Sequence, residues 1–150
     1  RLTDVTGVQT CALPISLVLQ RLGSRHVMVV HSRDGLDEIS IADKTDVAEL
    51  KDGMVRRFSI QPEEFGISRT PIDTIKAADS ADSLRMIRSV LDNQPGPARD
   101  IVQLNAGAAI YTTGLAKTLA EGMDRADKAI ASGEARNRLD RLIILTQGFE

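Results

Sequence analysis

The chain has 150 residues, 42% hydrophobic and 27% charged, which fits one folded domain; with only 3% aromatics its core must be aliphatic. A formal net charge of −2 without a long basic run argues against a nucleic-acid surface. No apolar stretch reaches membrane-spanning length, no signal peptide is readable, and a single cysteine, Cys11, excludes an internal disulfide framework and fits a reducing compartment.

Arg1–Ser16 mixes Thr, Gly, Gln, Cys and Pro without periodicity, which predicts a non-native or disordered leader joined near Ile15-Ser16; Cys11 is then incidental. Residues 17–150 are expected to form the domain. Leu17–Leu22 reads as the last turns of a helix, with Gly23 just beyond its end and Arg21 at the negative end of its dipole. Val27-Met28-Val29-Val30 then predicts a strand buried on both faces, as in a parallel sheet. His31 at its end is expected to be structural.

The chain turns at Asp34-Gly35 and presents two adjacent carboxylates, Asp37 and Glu38. Open α/β sheets bind ligands beyond the carboxyl ends of their strands. An acidic pair there can hold Mg²⁺, which favours one or two carboxylates together with water and phosphate oxygens. Such pairs in loops are more often simply solvated.

Ile39-Ser40-Ile41 is expected to supply a third strand. Val47–Lys51 and Val55–Ile60 flank Asp52-Gly53, a strong hairpin signal. The imperfect alternation of Val55–Ile60 predicts a bulge or a shifted face, with Arg56 and Arg57 on a solvated side. Gln61–Pro71 reads as a connector with a short turn at Pro62–Gly66. Four helices should follow. The first spans Ser80–Asn93, with Leu84, Ile87 and Leu91 in a stripe. The second spans Ala98–Thr113 and is apolar over most of its girth, hence buried. The third spans Thr118–Ser132, with Leu119, Met123, Ala126 and Ile130 inward. The fourth spans Glu134–Leu145, with Ala135, Leu139 and Leu142 inward. Asn105, polar on the buried second helix, is expected to be a satisfied core amide rather than a catalytic group.

His31-Ser32-Arg33-Asp34-Gly35-Leu36-Asp37-Glu38-Ile39-Ser40 resembles a stretch characteristic of the anthranilate phosphoribosyltransferase family. Val47–Gly53, Pro62–Gly66 and Leu104-Asn105-Ala106-Gly107-Ala108-Ala109 continue the likeness in the same order, from about Leu17 to about Thr146. The resemblance implies the C-terminal part of an α/β domain of the nucleoside phosphorylase/phosphoribosyltransferase type, with a mixed sheet. It implies transfer of a phosphoribosyl group from phosphoribosyl pyrophosphate to anthranilate in cytoplasmic tryptophan biosynthesis. It further implies Mg²⁺ held by Asp37 and Glu38, and a homodimer formed through N-terminal helices.

The sequence departs from the family in lacking its Gly-Thr-Gly-Gly-Asp pyrophosphate loop, its Asn-x-Ser-Thr segment and its N-terminal helical bundle. The chain is therefore expected to be a C-terminal fragment, inactive alone, with no catalytic residue assigned. The alternatives are a pyrimidine-nucleoside phosphorylase relative and a non-catalytic nucleic-acid-binding relative of the same fold.

Overall fold

The structure, a computed structural model, describes residues 9–149. Helix α1 (Gln9–Arg21) precedes strands β1 (His26–Ser32), β2 (Thr45–Lys51) and β3 (Met54–Ile60). Helices α2 (Ser80–Leu91), α3 (Pro97–Thr112), α4 (Leu119–Ala131) and α5 (Glu134–Gln147) follow. The α/β class, the hairpin and the four C-terminal helices match the sequence reading. Short 3-10 turns at Pro62–Phe65 and Ile72–Ile75 carry the connector.

The strand pairing corrects three expectations. The sheet is antiparallel throughout rather than mixed, in the order β1-β2-β3. β1 pairs from His26↔Lys51 to Ser32↔Thr45 and lies at an edge, with His26–His31 half-buried. An apolar run reports burial, not strand direction. Here the cover comes from helices packed against the sheet, α1 and α3. Ile39–Ile41 is not a strand: Ile39 and Ile41 are 2% and 0% exposed, but they enter the core from an irregular loop. Nor is there a bulge in the hairpin, whose register is unbroken from Thr45↔Ile60 to Lys51↔Met54. β3 alternates poorly because it is an outer strand with both faces open: Arg56, Arg57, Phe58 and Ser59 are all exposed. Its turn has positive φ at both central residues, 50° at Asp52 and 74° at Gly53, the two-residue geometry that follows strand twist.

α1 is described from Gln9 onward, so residues 9–16 of the segment expected to be a non-native or disordered leader are helical. Ser16 is fully buried; its hydroxyl donates to Ala12 O at 2.9 Å and lies 3.4 Å from Ala48 O on β2. The sequence signal was hidden by Pro14, which sits inside the helix and removes one backbone donor. Residues 1–8 and the Cys11 side chain lie outside the described residues.

The core forms where the loop after β1, the inner face of β2 and α3 meet, with Ile41, Val47, Ile101 and Leu104 among its members. α3 buries one stripe, Ile101, Leu104, Gly107 and Ala108, rather than most of its girth; Val102 is 42% exposed. On α2 only Val90 is buried; Leu84 and Ile87 are exposed, and Ile87 borders an open groove. Leu142 on α5 is exposed, not inward. In each case periodicity located an apolar face correctly without saying whether anything covers it.

α3 and α4 cross with almost no separation. A Cβ built at Gly122 would lie 2.2 Å from Gly107 O, and one at Gly107 would lie 2.8 Å from Met123 Cα. Toward the start of α3, Arg99 pairs with Asp127 of α4. α4 begins at Thr118, whose hydroxyl accepts from Glu121 N at 3.1 Å. Because backbone, not a flexible side chain, fills the space, Gly122→Ala should force the helices apart and destabilise by about 1–3 kcal/mol or more. Ala120→Gly, on an exposed position of the same helix, should cost at most about 1 kcal/mol. Urea unfolding midpoints of the two variants test this; equal midpoints would contradict the packing argument.

Candidate functional site

The site is the loop that joins β1 to β2. Its ends are closed by Arg33 N donating to Lys44 O at 2.9 Å and by Ser32 N donating to Leu36 O at 2.9 Å. Three fully buried hydroxyls knit the interior: those of Ser32, Ser40 and Thr45. Ser40 N donates to Thr45 Oγ1 at 3.1 Å, Ala42 N to Ser40 Oγ at 2.9 Å, and the Ser32 hydroxyl to Lys44 O at 3.3 Å.

Asp34 organises the turn. Its carboxylate accepts from Leu36 N at 3.1 Å and from the Ser40 hydroxyl at 2.6 Å. Burial by itself would raise its pKa. Hydrogen bonds from the Ser40 hydroxyl and from the Leu36 amide outweigh that and hold the carboxyl below its ordinary value.

Asp37 and Glu38 project from the middle of this braced loop, beyond the carboxyl end of β1, and both are exposed. Neither carboxylate has a hydrogen-bond or ion-pair partner among the described residues. They stand at the rim of a groove of ≈ 390 Å³ between the loop, α2 and α3, whose other walls include Ile75, Ile87 and Ile101. No group of three or more His, Cys, Asp or Glu side chains able to hold a metal occurs among the described residues. Two unpartnered hard-oxygen donors without a third fit Mg²⁺, which commonly takes one or two carboxylates and fills its shell with water and phosphate. Lacking a third ligand, the pair fits a self-sufficient metal centre poorly.

The remaining sequence candidates fall elsewhere. His31 is half-buried on β1 opposite Asp46, consistent with a structural part. Asn105 is half-buried with its amide fully engaged, as expected of a core amide. Arg56 and Arg57 are exposed on β3. Sequence reasoning missed Ser32, Asp34, Ser40 and Thr45 as builders of the loop. Their signal was the clustering of short hydrogen-bonding side chains on either side of the acidic pair.

A buried hydroxyl network that presents two free carboxylates at a strand end suits a protein that handles an anionic substrate through a cation. Residues 4–136 match the glycosyl transferase family, a/b domain, and the chain belongs to that family. Within it, the chain is similar to proteins named anthranilate phosphoribosyltransferase. It is 57% identical over 133 residues to the one from Thioalkalivibrio sulfidiphilus, covering 89% of this chain and 39% of that protein. It is 54% identical over 150 residues to the one from a Marinomonas species, covering 97% of this chain and 43% of that protein.

Among solved structures, the Thermus thermophilus anthranilate phosphoribosyltransferase superposes with a TM-score of 0.79 at 33% identity, over 88% of this chain and 39% of that one. The Saccharomyces cerevisiae enzyme, solved in complex with PRPP and Mg, shares the fold with a TM-score of 0.69 at 22% identity, over 77% of this chain and 33% of that one. The chain thus spans about two fifths of the length of the curated relatives it matches. No described helix is long and apolar enough to cross a membrane.

The lowered pKa of Asp34 gives the loop a defined pH response. The carboxylate form is favoured by folding, so its contribution is complete above the unfolded carboxylate range and is lost as pH falls through the lower, folded value. Amide exchange protection of Leu36 and Ala42 should therefore hold at neutral pH and fall only in acid. Asp34→Asn should remove that pH dependence and leave both amides less protected throughout.

Proposed function

We propose that this chain is the C-terminal part, residues 17–150, of the catalytic α/β domain of an anthranilate phosphoribosyltransferase. In the reaction, the amine of anthranilate displaces pyrophosphate at the anomeric carbon of phosphoribosyl pyrophosphate and yields N-(5-phosphoribosyl)anthranilate. The whole protein would act in the cytoplasm, in tryptophan biosynthesis, as a homodimer paired through helices upstream of this chain. The observation that carries the reading is the pair of unpartnered carboxylates on a braced loop, in a chain 57% identical to a protein of that name.

Asp37 and Glu38 would hold Mg²⁺ through their carboxylate oxygens. Bound there, the ion would neutralise charge on the departing pyrophosphate. The two side chains act as anionic ligands, and no proton transfer is assigned to them. The hydroxyl network beneath holds the backbone of the loop that carries them, so less of the loop is left to order when the cation arrives. The described residues supply one wall of such a site, and the phosphate and acceptor contacts would come from the remaining three fifths or so of the protein.

For Arg1–Ser16 we keep a foreign origin as a proposal, to be weighed against a family match that already begins at residue 4. Genomic sequence read upstream in the same frame decides it: continuity of that sequence through Ser16 would refute a joined leader.

In the full-length protein, Asp37→Asn and Glu38→Gln should each raise the Mg²⁺ needed for half-maximal rate. Loss of partners outside a metal's ligand shell already costs about 10–100-fold in affinity, so loss of a ligand should cost at least that. The 150-residue chain alone should not turn over anthranilate, because positioning that supplies about 7–11 kcal/mol of barrier reduction needs both walls of the cleft. Loss of anthranilate fluorescence with phosphoribosyl pyrophosphate and Mg²⁺ measures both. Unchanged Mg²⁺ dependence in the two variants, or turnover by the short chain within tenfold of the whole enzyme, would defeat the assignment.

A further inference from the structure

Asp37 and Glu38 are the only two residues between two fixed points of the loop. Upstream, Leu36 is held by both backbone groups: its N–H donates to Asp34 Oδ1 at 3.1 Å, and its C=O accepts from Ser32 N at 2.9 Å. Downstream, Ile39 is held in the same way by a single side chain. Ile39 N donates to Asn105 Oδ1 at 2.9 Å, and Asn105 Nδ2 donates to Ile39 O at 2.9 Å. The same Nδ2 donates to Ile101 O at 3.0 Å, one turn back on α3. The amide oxygen and both amide protons are used, and the pattern copies what a neighbouring strand would offer Ile39.

This grip is specific to asparagine. Aspartate could accept from Ile39 N but could not donate to Ile39 O or Ile101 O. Glutamine is one methylene longer, and an apolar residue would leave the buried Ile39 N–H and C=O unpaired. Asn105 does not face the groove walls named above, and nothing in its bonding requires a ligand. Its effect on function must pass through the loop.

We propose that Asn105, together with Asp34, is a positioning residue for the Asp37–Glu38 pair and sets its affinity for a divalent cation without touching that cation. This rests on the reading that the pair holds such an ion. Both braces order the loop before the ion arrives, so the ordering cost is not subtracted from binding. Loosening either brace should weaken the cation by on the order of tenfold, the usual scale for partners that orient metal ligands.

The test uses the isotope-labelled full-length protein and Mn²⁺, with and without inorganic pyrophosphate. Paramagnetic broadening of amide resonances reports binding, and hydrogen exchange at Leu36 and Ile39 reports the loop. Asn105→Asp adds a negative charge near the pair, so a purely electrostatic influence would tighten Mn²⁺. Positioning predicts weaker binding and faster exchange at Ile39. Asp34→Glu keeps the charge but moves the carboxylate; positioning again predicts weaker binding and faster exchange at Leu36, whereas charge alone predicts no change. Because Asp34 is exposed, this second variant decides the matter should Asn105→Asp fail to fold. Wild-type broadening that is absent, or that survives Asp37→Asn with Glu38→Gln, would refute the metal reading and the inference with it. Wild-type binding at the pair, with both brace variants binding as tightly or more tightly, would overturn the positioning inference alone.

Discussion

Asn105 grips the Ile39 peptide by its N–H and its C=O, at 2.9 Å each, and ties itself to Ile101 O on its own helix. Buried backbone polar groups must be paired, and leaving one unpaired costs about 1–3 kcal/mol. An irregular segment has no ladder to supply the partner. Ile39 and Ile41 can therefore pack against Leu104 only because α3 offers a side chain that behaves like a strand edge. Burial of these two isoleucines and fixation of the two carboxylates between them and the turn are one event. The three buried hydroxyls extend the same logic along the loop, turning a segment without secondary structure into a rigid platform.

Much of the framework is legible in the residues. Asp52-Gly53 names the hairpin because few other pairs tolerate positive φ twice in succession. The helices from α2 to α5 are marked by proline and glycine at their ends and lie within a few residues of their expected limits. What the residues do not carry is partnership. The Val27–Val30 run states that it is covered, not that its neighbour runs antiparallel. The stripes on α2 and α5 state that they are apolar, not that Leu84 and Leu142 stay open. For the site, Asp37 and Glu38 are readable from the turn and the resemblance, and Asn105 is readable as a satisfied amide. That its partner is Ile39, 66 positions away, follows only from the fold.

The site's charge is arranged by contrast. Asp34 spends its carboxylate on Ser40 and Leu36 and titrates low for that reason. Three and four residues on, Asp37 and Glu38 have no such partners and keep their oxygens available. Other acidic groups of the loop and hairpin are also taken: Asp46 accepts from Arg33 at 3.1 Å and from the Ser59 hydroxyl at 2.6 Å, and Glu49 lies 2.9 Å from the His26 ring. A cation approaching this end of the sheet meets one adjacent pair whose carboxylate oxygens are not already engaged by hydrogen bonds or ion pairs among the described residues. That economy of free charge, more than the number of acidic residues, distinguishes the pair from an ordinary solvated loop.

The crossing of α3 and α4 has a mechanical meaning. Gly107 and Gly122 bring the two backbones into contact, and Arg99 and Asp127 tie the same two helices again nearer the start of α3. Asn105 stands only two residues from that contact on a stiff helix. The crossing is a fulcrum, and the amide that grips the loop is mounted beside it, where leverage is least. A substitution that spreads the helices at the fulcrum would therefore act on the Ile39 peptide through Asn105, although it lies far from the loop in sequence.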